Sequence, residues 1–432
     1  MSIVVGILVV LVGIAVSIAL HEVGHMAPAK RFGVRVSQYM VGFGPTLWSR
    51  TKGETEYGIK AFPLGGYVRM VGMMPGARSG TRPGRGFFAQ VVADARDQSV
   101  EEILPGEEHR AFYNLSTPKK LVVMLGGPLM NLLLAVVLTA SFMAIGLTQQ
   151  TTTVATLSEC VPTATGEPCD PAGPAAPAAA AGLQPGDRIV RYDGVAIGTW
   201  RELLEAIDGT AGRAVPVVVE RGGQEVALTV TPLDAERALV DADRNPVTGE
   251  DGQVRTVSGA FLGISPTVAR QSIPLTEVPG EVGRMFTATA SAVVRFPVAV
   301  YDAAVETFTD APRSTDGVMS VVGVGRAAAD VAGLDADVLD RVAIMLSLLA
   351  SLNMALFVFN LIPLLPLDGG HVANALYEGA KRTVARARGL RPLPGPADVA
   401  RMMPVAYVMF VVLLGSGLLL IVADVVDPVR IF

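Results

Sequence analysis

The residues best equipped for chemistry are His21-Glu22-Val23-Gly24-His25, an HExxH pattern. On a helix, positions i and i+4 share a face, so both imidazoles can reach one metal ion. The glutamate beside the first histidine is then placed to take a proton from water, the reading this pattern carries in metalloproteases. Catalytic zinc takes three protein ligands and keeps one position open, whereas structural zinc takes four. A third ligand is therefore needed. The chain has four histidines, and His109 lies in a polar loop, so the search turns to carboxylates. The best candidate is Asp368, in Asn360-Leu-Ile-Pro363-Leu-Leu-Pro366-Leu-Asp368-Gly369-Gly370-His371. Pro363 and Pro366 must interrupt a helix, and Gly369-Gly370 permits a tight backbone turn beside a metal.

The elements that must position these groups are apolar. Half of the 432 residues are hydrophobic and 17% are charged, against roughly 25% in a typical soluble domain. The net charge of −5 lacks the basic excess of a nucleic-acid binder, so no nucleic-acid partner is expected. Four stretches reach the roughly 20 apolar residues of a membrane span. The sequence thus predicts a polytopic α-helical membrane protein with four transmembrane helices, the first retained rather than cleaved. Residues 1–26 form helix 1 with the HExxH, 121–147 helix 2, 341–371 helix 3 with the Leu367-Asp368-Gly369-Gly370-His371 motif, and 402–426 helix 4. The path from Ile3 to His21 is about 27 Å, nearly the full hydrocarbon thickness. Ionisable residues at that depth are expensive and functional by default. The plainer alternatives are a polar cap that happens to spell HExxH and a helix-end carboxylate in the headgroup region.

Charge sets the expected orientation. Residues 26–120 hold 14 Lys+Arg and 8 Asp+Glu, while 148–340 hold 13 Arg, no Lys and 26 Asp+Glu. Basic residues near span ends mark the cytoplasmic side, so the loops 27–120 and 372–401 are expected inside, and both termini outside. Helices 1 and 3 then bring Glu22 and Asp368 to the same, cytoplasmic, end. Cys160 and Cys169 lie in the outward region, where such a pair can oxidise; a disulfide and two free thiols are both open.

The motifs, taken in order, resemble the site-two protease family of intramembrane zinc metalloproteases, in particular its bacterial sigma-E regulator and actinobacterial Rip-type branches. The matching pieces are the HExxH, Pro63-Leu64-Gly65-Gly66-Tyr67-Val68, Gly126-Gly127-Pro128-Leu129-Met130-Asn131 and the Asp368 motif. This resemblance implies one Zn²⁺ per chain held by His21, His25 and Asp368, with Glu22 as general base. It implies a membrane-associated β-hairpin at about 55–72 that holds unwound substrate through Gly65, Gly66, Tyr67 and Val68. It also implies contacts to substrate backbone from Asn360 and Asn353. Interhelical hydrogen bonding is the alternative for both asparagines. Residues 73–110 exceed the family core and read as a flexible insertion by composition.

Outside the membrane, the Ala/Pro-rich stretch 172–181 reads as a linker. Then follow a strand from Arg188, a turn at Asp193-Gly194, a short helix over 200–207, and strands over 215–220 and 225–231. This order is similar to a bacterial PDZ domain, expected at 152–268, with Leu262, Gly263 and Ile264 lining a peptide groove; a buried strand without ligand is the alternative. Residues 269–340 read as a helical segment at the membrane surface. The family implies a bacterial plasma-membrane protein whose substrate is a single-span protein, an anti-sigma factor for the nearest branches, already trimmed by an upstream extracytoplasmic protease. A membrane-anchored zincin of quality control and a non-catalytic PDZ scaffold are the competing readings.

Overall fold

The computed structural model describes residues 3–76, 86–161, 175–238, 255–309, 318–334 and 336–426. Its contacts divide the chain into two units: residues 1–146 with 272–432, and residues 147–271.

The first unit is built on long helices. α1 (Ile3–Arg31) is followed by the strands β1 (Val36–Lys52) and β2 (Thr55–Met70), then by α2 (Phe87–Glu101) and α3 (Thr117–Ile145). The expected hairpin therefore starts at Val36, not near residue 55. β1 is bordered by both halves of β2, since Met40 lies opposite Tyr67 and also opposite Gly58. That arrangement makes residues 66–70 an outer strand of the hairpin sheet. Its base is sealed by Val34, Val36, Met70, Phe112 and Val123, all buried.

The stretch read as a flexible insertion contains α2, which is docked rather than loose. Arg96 pairs with Asp398 at 2.6 Å, Phe87 packs edge-on against Tyr407, and the Ser99 hydroxyl bonds both the N–H and the C=O of Met74. Composition missed these contacts because two of the partners, Asp398 and Tyr407, are far away in sequence. Residues 77–85 lie outside the described residues.

α1 and α3 approach so closely that their backbones touch. A Cβ on Gly24 would stand 2.3 Å from the Gly126 oxygen, and one on Gly126 would stand 2.0 Å from the Gly24 oxygen. Only glycine fits at either position. α3 also packs along α8 (Val338–Asn360). After α8 the chain leaves the helix over 361–367, where the two prolines stand, and α9 (Asp368–Ala387) begins at the aspartate itself. The loop expected at 372–401 thus opens as a helix. The two glycines serve close packing here, not a turn: a Cβ on Gly369 would stand 2.2 Å from the Ile362 oxygen, and one on Gly370 2.6 Å from the Leu365 nitrogen. α9 is held to α3 by a buried ion pair, Lys120–Glu378, at 2.8 Å. The last long helix is α10 (Met403–Val426).

α6 (Val278–Phe308) and α7 (Val321–Gly333) follow the second unit in sequence and belong to the first. Among the described residues, five helices are long and apolar enough to cross a membrane, the fifth covering Leu275–Phe308. The chain is thus a polytopic membrane protein by its helices, one more of which meets the length and composition criteria than the four expected.

The second unit is a sheet domain. Its main sheet runs in the order β10 (Ile264–Gln271), β3 (Leu147–Leu157), β4 (Arg188–Tyr192), β6 (Val215–Arg221) and β7 (Gln224–Val230); β5 (Val195–Ala196) pairs with β4. A separate ribbon joins β8 (Leu233–Ala238) to β9 (Thr256–Phe261). The short helix α4 (Pro177–Ala180) precedes β4, and α5 covers Trp200–Ile207, where the periodicity places it. α5 is started by a capping box in which Thr199 and Glu202 satisfy each other's backbone N–H. Alternate residues Val215, Val217 and Val219 point into a core with Ile189, Tyr192, Leu203 and Leu262. Cys160 is buried and disulfide-bonded; Cys169, the other cysteine of the sequence, lies outside the described residues.

Candidate active site

The two histidines one helical turn apart on α1 project from the same face, as the i, i+4 spacing requires. Their Nε2 atoms are 3.2 Å apart, and the Asp368 Oδ2 lies 3.3 Å from that of His21 and 3.2 Å from that of His25. No other group of three His, Cys, Asp or Glu residues among the described ones converges in this way. His21 and His25 come from α1 and Asp368 from α9, and a third element, α3, stands behind the histidines.

Each imidazole is held from behind by α3. The His25 Nδ1 lies 2.8 Å from the Val123 carbonyl oxygen, and the His21 Nδ1 lies 3.0 Å from the Asn131 side-chain amide. Residues 123, 127 and 131 repeat at four-residue spacing and share one face of α3. Between the outer two sits Gly127, where a Cβ would stand 2.2 Å from the His25 Nε2 and 2.7 Å from the His21 Nε2. A glycine there keeps the space beside both nitrogens open.

These residues fit a metal. Four donors at 2.0–2.1 Å around a tetrahedral ion stand about 3.3 Å from one another, which is the spacing of the three donor atoms here. Two imidazoles and one carboxylate form a catalytic rather than a structural set, because a fourth position remains for water or substrate. Asp368 opens α9, so the positive end of that helix favours its carboxylate form.

The cluster lies in a cavity of about 550 Å³ lined by Ile18, Glu22, Phe43, Met124, Asn360 and Leu367, among others. Gly65, Gly66, Tyr67 and Val68 form one wall of that cavity, beside Glu22. Of the two asparagines singled out in sequence, only Asn360 reaches the cavity. Asn353 is fully buried and donates to the Ser17 hydroxyl at 2.9 Å and to the Leu349 oxygen at 2.8 Å. The bond to Ser17 is the interhelical bond left open as its alternative. Leu262 is buried in the core of the sheet unit, and Gly263 and Ile264 lead into β10.

The model of Peptidase family M50 matches residues 9–391. The chain belongs to Peptidase family M50. Full-length relatives of this M50 chain include the zinc metalloprotease Rip1 of Mycobacterium tuberculosis strain H37Rv, 33% identical over 100% of both chains. Rip1 of Mycolicibacterium smegmatis is 32% identical over 99% of both. The zinc metalloprotease RasP of Oceanobacillus iheyensis is 28% identical over 58% of this chain and 67% of its own.

Sequence reasoning did not assign the α3 groups behind the histidines. A signal was present: an M50 chain that needs close helix contact at Gly126-Gly127 presents the residues four before and after Gly127 to the same neighbours.

Proposed function

We propose that the chain, a zinc metalloprotease of the site-two type, hydrolyses a peptide bond inside a transmembrane segment of a single-span membrane protein. The observation that carries this reading is the convergence of His21, His25, Asp368 and Glu22 in one cavity between helices apolar enough to span a bilayer. His21, His25 and Asp368 hold the Zn²⁺. The chemistry that ion supplies when bound is Lewis acidity towards water and the scissile carbonyl. Glu22 accepts the proton of the attacking water as the new C–O bond forms. It then delivers that proton to the amide nitrogen as the C–N bond breaks.

A helical substrate hides its amides in its own hydrogen bonds, so it must unwind before cleavage. The outer strand 66–70 offers replacement partners by strand addition, with Asn360 on the opposite wall contacting the unwound backbone.

Four helices span in this reading: α1, α3, α8 and α10. α6 crosses α8 instead of running beside it. Phe286 and Phe296 of α6 meet Phe357 and Phe359 of α8, so about 15 Å along one helix corresponds to about 3 Å along the other. A cytoplasmic site with both termini outside is the orientation we propose, and Lys30, Lys119, Lys120 and Lys381 near the span ends support it. The outward unit is PDZ-like. Among the described residues its outer strand β10 pairs with β3 alone in the sheet order, which offers an edge for an extended peptide beside 262–264. Such a unit selects a substrate, an anti-sigma factor in our reading, that an upstream extracytoplasmic protease has shortened.

The test compares membrane proteomes of cells carrying the native chain and Glu22→Gln. Single-span fragments should accumulate with the variant, and purified Glu22→Gln should keep its zinc. Cleavage by the variant at the native rate would remove Glu22 from the mechanism.

A further inference from the structure

Both imidazoles present Nε2 to the centre of the site, so each must carry its proton on Nδ1 to leave the Nε2 lone pair free. For His25 this is already arranged, because its Nδ1 faces the Val123 carbonyl, an acceptor, at 2.8 Å. His21 has no such partner as the Asn131 amide stands. Its Nδ1 faces the amide nitrogen Nδ2 at 3.0 Å, a donor against a donor, while the Asn131 Oδ1 is buried without a hydrogen-bond partner. Asn131 is fully buried, so bulk water does not relieve the conflict.

The two ends of a side-chain amide have nearly the same shape, and their assignment follows from the hydrogen bonds. We infer that Asn131 works with its amide turned over, so that Oδ1 accepts the His21 Nδ1–H and fixes the tautomer that presents Nε2 to the metal. Turning the amide replaces a donor–donor contact and an orphaned oxygen by one satisfied bond. It leaves the NH₂, in the place that Oδ1 held, as the one group of this side chain without a partner. Asn131 is then a positioning residue. The four-residue ladder on α3 supplies a backbone acceptor for one histidine at 123, open space at 127, and a side-chain acceptor for the other histidine at 131.

This inference rests on His21 and His25 being the zinc ligands, as proposed above, and the two can be tested apart. The full-length chain in detergent micelles is stripped of metal and titrated with Zn²⁺ against a competing chelator. Loss of binding in His21→Ala establishes the ligand; unchanged binding there would refute the ligand reading itself. Partners that orient ligating histidines typically contribute 10–100-fold in metal affinity. Asn131→Leu, similar in volume but without an acceptor, should therefore weaken zinc binding about 10–100-fold. Asn131→Asp, which keeps an acceptor and loses the donor, should stay within about threefold of native or bind more tightly. A residue that merely packs would show the opposite order, with leucine tolerated and aspartate not. A second measurement needs no variant. Nitrogen NMR of the zinc-loaded native chain labelled in histidine should show His21 protonated at Nδ1 and metal-bound at Nε2. A His21 bound through Nδ1, or Asn131→Leu at native affinity, overturns the inference.

Discussion

Replacing Gly24 by alanine tests whether the contact between α1 and α3 sets the metal geometry. The new Cβ would lie 2.3 Å from the Gly126 oxygen, 2.6 Å from its carbonyl carbon and 2.9 Å from the Gly127 nitrogen, all backbone atoms that no rotamer change can move. Ordinary contact begins at 3.4 Å, so the helices must part by about 1 Å. The same step stretches the bond from the His25 Nδ1 to the Val123 oxygen, now 2.8 Å, beyond the range of a hydrogen bond. Metal sites tolerate roughly 0.2 Å in ligand distance, and a misplacement of about 1 Å at a catalytic centre can cost about 10²-fold. Gly24→Ala should therefore lose zinc and lower cleavage of a transmembrane substrate about 100-fold, although alanine favours the helix itself by about 1 kcal/mol. Two controls grade the effect. At Gly13 the added Cβ meets only the Leu349 side chain, and at Gly415 it meets nothing within 4 Å. Gly13→Ala should be mild and Gly415→Ala silent. Zinc content by elemental analysis and cleavage in reconstituted liposomes read the series, and native zinc and activity in Gly24→Ala would refute the reasoning.

Breaking the buried Lys120–Glu378 pair from one side, by Glu378→Met, which strands Lys120, should cost about 3–5 kcal/mol, while Glu378→Met with Lys120→Met together should recover most of it; thermal unfolding in detergent reads both, and equal losses in single and double variants would contradict a desolvated pair. Asn360→Ala should raise KM for a membrane substrate with little change in melting temperature, whereas Asn353→Ala should cost about 1 kcal/mol of stability and leave KM alone; the reverse pattern would exchange their roles. In the sheet unit, the Arg221 guanidinium, at 2.7 and 2.8 Å, and the Gln184 N–H hold the buried Asp187 carboxyl below its ordinary range. Its stabilising contribution is then complete above the unfolded value of about 3.9 and is lost as pH falls through the lower folded value. Amide exchange over β4 and β6 should accelerate in that acid window in the native chain and lose this pH dependence in Asp187→Asn, and an identical pH profile in both would remove Asp187 from the account.

What could be read from the sequence was whatever a short-range period or a strong rule imposes. The four-residue spacing of His21 and His25, the two prolines that end α8 before Asp368, and the capped helix at Trp200–Ile207 are of this kind. The elements misread are those whose structure depends on distant partners. α2 looked disordered because Asp398 and Tyr407, which hold it, are remote in sequence. The start of the hairpin at Val36 was missed because β1 is recognisable only from its pairing with both halves of β2. Asn353 and Asn360 are alike in sequence, two asparagines on one apolar helix. They differ only in which neighbour they face.

Gly369-Gly370 carries the same lesson further. In sequence the pair reads as a turn beside a metal, yet neither residue has a positive φ. Both are needed because the loop 361–367 folds back over the first turn of α9 with its backbone at van der Waals limits. That loop leaves α8 at Asn360 and delivers Asp368, so the substrate-facing amide and the third ligand are joined by one tightly packed segment of seven intervening residues. The same device recurs between α1 and α3, where Gly24, Gly126 and Gly127 bring the histidines against their supports. In both places glycine lets backbones touch, and backbone contact is what can hold three donor atoms 3.2–3.3 Å apart. Side chains packed against side chains have rotamers through which such spacing could relax; two helices in backbone contact have none. The glycines of this chain are thus as much a part of its metal chemistry as the ligands whose separation they set.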